Sequence, residues 1–176
     1  MKKWNIRQTG KRIIAITFML LFAVAVVWLI IEGSRPEVLS LGSKLPEIEY
    51  SGFSGVQKLK ADNVHKTVVM FFSEKCSHCK YELNLLNNNL QKLKRVNIYL
   101  ITIEKDVLKN GFIDNYQNLK KADNVTFGIV KKEEYKNKLG IMSHPVLYFF
   151  NEKGILTSKI KGETKIEKIL QEINKQ

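Results

Sequence analysis

The longest apolar stretch of the chain lies near its N-terminus, where residues 13–31 contain no charged side chain. As a helix rising about 1.5 Å per residue, the stretch would extend roughly 28 Å, close to the ~30 Å hydrocarbon core of a bilayer. Five basic residues and no acidic one precede it, whereas Glu32 and Glu37 follow it. The pattern predicts one transmembrane helix, with the N-terminus in the cytoplasm and residues 32–176 outside.

A cleaved signal peptide is the competing interpretation of this stretch. Its apolar region would be about 7–15 residues long and would end at a small-residue cleavage site. Here the run is longer and ends in one aromatic and three aliphatic residues, so an uncleaved anchor is favoured, with Trp4 and Trp28 near its two ends. We expect four parts: a basic N-terminus at 1–12, the anchor at 13–31, a linker at 32–43 and a folded domain at 44–176.

Beyond the linker, the apolar pattern alternates between strand and helix periods. Residues 67–72 form a nearly continuous apolar run, typical of a buried central strand, and leucines at three- and four-residue intervals predict a helix at 76–94. The remaining pattern predicts a hairpin of 48–50 and 56–59, strands at 97–103, 125–130, 146–150 and 155–160, and helices at 105–121, 133–139 and 163–173. This order indicates an α/β domain, a central mixed sheet with helices on both faces.

The chain is strongly basic, with 29 Lys and Arg against 17 Asp and Glu and a net charge of +12. The lysines outside the N-terminus are dispersed, and the densest pairs, Lys120-Lys121 and Lys131-Lys132, are followed by acidic residues. This distribution favours a solvated surface over a nucleic-acid site, while attraction to anionic lipid headgroups stays open.

The cysteine count limits the chemistry further. Two cysteines exclude a disulfide-stapled small domain and an all-cysteine zinc site within one chain.

The two cysteines lie in one motif, Cys76-Ser77-His78-Cys79, between the predicted buried strand and a helix. Free N–H groups and the dipole at a helix N-terminus favour a thiolate at Cys76, and Cys79 falls on the same helical face within disulfide reach. A CxxC in this context is a redox signature, with Cys76 as the attacking and Cys79 as the resolving thiol. The alternatives are an inert disulfide or buried pair, and half of a zinc site that nothing else in the sequence completes.

The motif and its surroundings resemble a known family. The strand, CxxC and helix, together with residues 142–146 (Met-Ser-His-Pro-Val) entering a strand and the turn at 151–154, resemble the thioredoxin fold. The anchor, the hairpin after Leu45-Pro46, the element order and Glu82 resemble more closely the membrane-anchored TlpA/ResA-type thiol-disulfide oxidoreductases. The resemblance covers residues 42–174 and implies a thioredoxin-like fold with an added N-terminal hairpin, preceded by one transmembrane helix.

The resemblance implies roles for particular residues. Pro145 matches the family's cis-proline beside the disulfide, and the backbone of His144 would pair with an extended substrate segment. Glu82 matches an acid near the cysteines; it would oppose ionisation of Cys79 or relay its proton, unless it is a solvated helix glutamate. With Glu82, the two residues between the cysteines, Ser77 and His78, are the candidates for tuning the redox potential.

The sequence also departs from the family pattern. Lys75 and His144 stand where tryptophan and threonine are usual, and the strand before the CxxC lacks the buried acid of thioredoxin. His78 resembles the motifs of DsbA and protein disulfide isomerase, in which a histidine stabilises the reduced form and makes the disulfide more oxidising; the alternative is a surface histidine without redox role. His65 has no partner in the sequence pattern and is interpreted as a surface residue.

We therefore expect a bacterial membrane-tethered, extracytoplasmic thiol-disulfide oxidoreductase, with reduction favoured over oxidation or isomerisation. Its partners would be proteins bearing thiols or disulfides, a membrane electron donor or acceptor, and lipid through the anchor; no nucleic acid, cofactor or metal is expected. One alternative is a thioredoxin-fold copper chaperone that binds Cu(I) through Cys76, Cys79 and either His144 or Met142. Another is a peroxiredoxin-like peroxidase, whose reactive cysteine does not normally lie in a CxxC.

Overall fold

The computed structural model describes residues 6–33, 38–140 and 143–175, which belong to two compact units divided at residue 36. The first unit is a single helix, α1 (Ile6–Gly33). Its segment Arg12–Ile30 has a mean hydropathy of 3.0 and buries none of its residues. Within the described ranges this is the one helix long and apolar enough to cross a bilayer, and it includes most of the predicted span.

The second unit is built on a mixed seven-stranded sheet in the order β2-β1-β5-β4-β3-β6-β7. The strands are β1 (Ile48–Gly52), β2 (Gly55–Leu59), β3 (Lys66–Phe71), β4 (Val96–Thr102), β5 (Val125–Val130), β6 (Val146–Phe150) and β7 (Leu156–Lys161). The central strands β3, β4 and β5 run parallel, and every other pair is antiparallel. The predicted hairpin, β1 and β2, extends the sheet beyond β5. Because β3, β4 and β5 are parallel, their carboxyl ends lie at the same edge of the sheet.

Helices cover both faces of the sheet, as the sequence predicts. They are α2 (Ser77–Asn89), which continues as a 3-10 turn at Leu90–Leu93, α3 (Gln117–Lys121), α4 (Lys132–Leu139) and α5 (Ile166–Asn174). One core includes Leu83 of α2, Leu119 of α3 and Ile169 of α5. The other lies under α4, where Tyr135 stacks on Phe71 with ring centroids 3.8 Å apart. Alternate residues of β3 enter the two cores, which explains its continuous apolar run.

The predicted helix at 105–121 is wrong. Residues 105–111 form successive turns, Phe112–Asn115 is a 3-10 turn, and only the short α3 is α-helical. Gly111 adopts a φ of +80°, outside the right-handed helical region, and the side chain of Asn110 accepts a hydrogen bond from the backbone N–H of Phe112 at 3.0 Å. Because Val107 and other apolar side chains reach the core from these short turns, their spacing imitates that of a longer helix.

Residues 38–43, which the sequence analysis placed in the linker, contact the sheet. Leu39 is buried in the core under α4, and the backbone N–H of Gly42 donates to the carbonyl of Leu156 at 2.9 Å. Lys44 then forms an isolated bridge with Ile155. The chain therefore runs along β7 before it enters β1.

Candidate active site

The cysteine motif lies where β3 ends and α2 begins. Cys76 is the N-cap residue of α2 and is only partly buried. Its Sγ accepts a hydrogen bond from the backbone N–H of Cys79 at 3.4 Å, so the sulfur takes the place of the oxygen that usually caps a helix. At this position the sulfur faces the unsatisfied N–H groups of the first turn, which stabilise negative charge.

Cys79 has a very different environment from Cys76. Its side chain is fully buried in the core beneath α2, and both cysteines are free thiols. Burial raises the pKa of Cys79 to about 12, although the backbone N–H of Ser73, 3.4 Å from its Sγ, acts in the opposite direction. The motif thus combines one accessible sulfur with one sulfur that stays protonated near neutral pH.

The loop before β6 completes the surface beside Cys76. The His144–Pro145 peptide bond is cis, as the resemblance implies for Pro145. The thiol of Cys76 donates to the carbonyl of His144 at 3.7 Å, and the carbonyl of Pro145 accepts from the backbone N–H of Gly162 at 2.9 Å. His144 is exposed and Pro145 is buried, so the backbone of His144 borders the accessible sulfur.

Glu82 lies one helical turn beyond Cys79 and is completely buried. Its Oε2 accepts a hydrogen bond from the backbone N–H of Thr164 at 3.0 Å, while Oε1 has no partner among the described residues. Burial raises the pKa of Glu82 to about 7, and the nearby charge of Glu163 adds to this effect. The interpretation of Glu82 as a solvated helix residue is wrong, because its carboxyl group lies in the interior.

The side chain of His78 pairs with a carboxylate from another loop. Its Nδ1 lies 2.7 Å from Oε2 of Glu163, in the loop between β7 and α5, and 64% of its side chain is exposed. Ser77 is also exposed. The histidine therefore joins the start of α2 to the same loop that supplies Thr164 to Glu82.

The sequence pattern did not identify two carboxylates of this site, those of Glu104 and Glu163. Glu104 follows β4, and its two oxygens accept from the Oγ of Ser73 at 2.6 Å and from the backbone N–H of Glu74 at 2.7 Å. Its position after a parallel strand next to β3 is the signal that could have identified it, since the carboxyl ends of parallel strands meet at one edge. Glu163 was placed in a predicted helix, whereas α5 begins three residues later.

Two other residues singled out from the sequence lie outside this network. Lys75 is exposed, and its backbone N–H donates to the Oγ of Ser73 at 3.3 Å. His65 does have a partner: its Nδ1 lies 2.7 Å from Oδ2 of Asp62, before β3 and thus at the opposite end of that strand from Cys76.

The copper-chaperone alternative depends on a third ligand beside the two sulfurs. No cluster of three or more His, Cys, Asp or Glu side chains suited to a metal ion occurs in the ranges that the structure describes. Met142, one of the two candidates for that ligand, lies outside the described residues. The ring of the other candidate, His144, lies edge-on to Phe71, with centroids 6.1 Å apart.

Comparisons with known proteins agree with this architecture. None of the curated proteins compared with the sequence matches it. Three solved structures are similar in fold: the thiol:disulfide interchange protein DsbE of Chlorobium tepidum (20% identity, TM-score 0.63, 77% of this chain and 96% of that one), StoA of Bacillus subtilis (16%, 0.54, 74% and 98%), and a peroxiredoxin-like protein of Aquifex aeolicus (13%, 0.64, 78% and 87%).

At these identities the similarity is one of fold, and it confirms the fold that the sequence resemblance predicted. The model of the thioredoxin-like domain matches residues 54–176, which include β2 through α5 and the whole cysteine site. This protein belongs to the thioredoxin-like family.

Proposed function

We propose that this protein is a membrane-tethered, extracytoplasmic thiol-disulfide oxidoreductase that acts on protein substrates through Cys76 and Cys79. The observation that carries the proposal is the asymmetry of the two sulfurs. Cys76 is accessible and caps a helix, whereas burial raises the pKa of Cys79 to about 12. An accessible sulfur at a helix N-terminus suits nucleophilic attack, and a protected sulfur three residues later suits resolution of the intermediate.

The exchange proceeds in two balanced steps. The thiolate of Cys76 attacks one sulfur of a substrate disulfide, which forms a mixed disulfide and releases the other substrate sulfur as a thiolate. Cys79 then loses its proton and attacks the Sγ of Cys76, which releases the second substrate thiol and leaves a Cys76–Cys79 disulfide. The substrate gains two electrons and the protein loses two, so a membrane donor must reduce the protein for each turnover.

We assign to Glu82 the uptake of the proton that Cys79 loses. A carboxyl group with a pKa of about 7 is close to half-ionised at neutral pH, so it exchanges protons readily under working conditions. Its Oε1 is buried without a partner in the described structure, which leaves one oxygen free to receive a proton. In this proposal Glu82 acts through Cys79, as a positioning and proton-transfer residue.

Reduction is the favoured direction. An imidazolium at His78 would stabilise a Cys76 thiolate and make the disulfide more oxidising. The side chain of His78 instead pairs with the carboxylate of Glu163, which offsets such a charge. The resemblance to the TlpA/ResA type, whose members include reductases, supports the same direction.

The location is proposed from α1 and its flanking charges. The helix contains a segment with the length and composition of a membrane span, and the basic residues that precede this apolar segment favour a cytoplasmic N-terminus in a bacterial cell membrane. The domain that contains Cys76 would then lie outside the cytoplasm, held to the lipid by an uncleaved anchor.

The reduction potential of the full-length protein in nonionic detergent tests the direction. We expect free-thiol counts in glutathione buffers to give a value below about −240 mV, in the range of reductants such as thioredoxin. A value above about −180 mV would indicate an oxidase or isomerase. Peroxide-dependent oxidation of Cys76 at a catalytic rate, without exchange with protein disulfides, would replace the proposal with a peroxidase function.

A further inference from the structure

A second concave site lies at the same edge of the sheet as Cys76. It is a cleft of about 640 Å³ beside the ends of β4 and β5, and the end of β1 at Ser51-Gly52 contributes to its wall. Ile103, Leu108 and Ile129 provide apolar surface and are each only partly buried. Its volume lies within the range of about 300–1,000 Å³ that is typical of ligand pockets.

The rim of this cleft is strongly basic. Lys105, Lys109, Lys131 and Lys132 line it and are exposed, whereas Glu133 is its one acidic lining residue. None of the four lysines forms a salt bridge with another residue in the described ranges. We call this site the lysine-rimmed cleft; its charge is complementary to an anion and its floor to an apolar group.

Hydrogen bonds from residues next to the lysine-rimmed cleft hold the loop that leads to Cys76. Ile103 of the floor immediately precedes Glu104, which holds the backbone N–H of Glu74 at 2.7 Å. Asn110, which follows the cleft residue Lys109 in the chain, donates from its side-chain amide to Oε2 of Glu74 at 2.6 Å. Two strand spacings, about 10 Å, separate β3 from β5, so an extended peptide of roughly three to six residues would reach from the cysteine to the cleft.

We propose that the lysine-rimmed cleft binds a segment of the substrate protein whose disulfide reacts with Cys76. This segment carries carboxylates next to an apolar side chain and lies three to six residues from the reacting cysteine. The inference rests on the proposed function and names the chemistry of its partner. The concave apolar floor favours a peptide over a bilayer surface, since a flat layer of headgroups would contact the lysine tips and leave the floor uncovered. Rim charges of this kind raise the association rate with acidic partners and select among them.

Two matched peptides test the proposal on the full-length protein in nonionic detergent. One has the sequence Cys-Gly-Gly-Leu-Glu-Glu and the other Cys-Gly-Gly-Leu-Gln-Gln, and each carries its cysteine as a mixed disulfide with thionitrobenzoate. Attack of Cys76 on the peptide sulfur releases thionitrobenzoate, and Cys79 then releases the peptide thiol, so absorbance reports the exchange. Each protein molecule is oxidised after one exchange, so the measurement follows a single turnover of pre-reduced protein. We expect its second-order rate constant to be about fivefold higher for the acidic peptide at low salt, as two exposed ion pairs allow.

Two double variants separate the effect of the cleft lysines from the effect of the protein's net charge. K131Q/K132Q should reduce the ratio of the two rates to below about twofold. K92Q/K94Q removes the same charge from two exposed residues that border a different cavity and should leave the ratio unchanged. An equal loss in both variants would attribute the preference to net charge and would overturn the proposal.

Other outcomes separate this proposal from the function on which it rests. Equal rates for the two peptides with the wild-type protein would overturn the cleft assignment and leave the oxidoreductase function intact. Failure of both peptides to react, with no mixed disulfide trapped on Cys76, would instead overturn the oxidoreductase function and the cleft with it. Inhibition of the acidic peptide by glycerol phosphate at concentrations at which sulfate has no effect would assign the cleft to lipid headgroups and contradict a peptide segment.

Discussion

The backbone N–H of Thr164 donates to the buried carboxylate of Glu82 at 3.0 Å, and this bond connects α2 to the loop before α5. The adjacent residue Glu163 pairs with His78, two residues beyond Cys76. One short loop thus contacts two of the three candidate redox-tuning side chains of the helix. The charge of Glu163 in this loop also helps to raise the pKa of Glu82.

Glu82 makes the stability of the reduced protein depend on pH. The pKa of Glu82 is about 7 in the folded state, against an ordinary value of 4.5. The folded protein therefore binds the proton more tightly than the unfolded chain does, and this contribution to the free energy of unfolding is fully present below pH 4.5. This stability is lost as the pH rises to about 7, at about 1.4 kcal/mol for each pH unit, or about 3 kcal/mol in total. E82Q should remove this decline, as measured by denaturant unfolding at several pH values.

E163Q is the matched control for this measurement. It removes the neighbouring charge that helps to raise the pKa of Glu82, so the decline in stability should end at lower pH and be smaller. A decline of the wild-type size in E82Q would show that another group titrates in this range.

The roles of the two cysteines predict opposite behaviour in single variants. C79S should trap a mixed disulfide between Cys76 and a substrate protein, because the resolving sulfur is absent. C76S should trap none, since Cys79 is fully buried. Non-reducing electrophoresis of the full-length variants gives the result, and equal trapping by both would contradict the assignment of attacker and resolver.

His78 and Glu163 should shift the reduction potential in opposite directions. H78P removes the imidazole and should make the potential more reducing, by on the order of 30 mV. E163Q removes a negative charge that lies 2.7 Å from the imidazole, so the surroundings of Cys76 become more positive and the potential should become more oxidising. Unchanged potentials in both variants would reduce His78 to a surface residue without redox role.

Glu104 should act on Cys79 through charge and loop position. Its carboxylate raises the pKa of Cys79, though by less than burial does, and holds Ser73, whose N–H lies 3.4 Å from the Cys79 Sγ. E104Q keeps the shape and removes the charge, so Cys79 should ionise at lower pH. The ultraviolet absorbance of the Cys79 thiolate in the C76S background, followed between about pH 8 and 11, measures the change without requiring access to the buried sulfur. An unaltered profile would limit Glu104 to a structural role.

The sequence by itself determined the features that depend on local pattern. The continuous apolar run of β3, the amphipathic helix after it and the cysteine spacing between them follow from periodicity and helix geometry. The same local information predicted a helix at 105–121 incorrectly, because short turns that pack apolar residues on a sheet imitate the spacing of a helix, and Gly111 decides between them through its positive φ.

Only the tertiary structure decided which distant residues surround the cysteines. Glu82 could be solvated or buried on a helix, and the packing of α2 against the sheet and α5 places it in the interior. Glu104, Glu163 and Thr164 reach the site from loops that are far away in the chain. Burial and long-range hydrogen bonds set the pKa values of such groups, and neither quantity is encoded in the spacing of neighbouring residues.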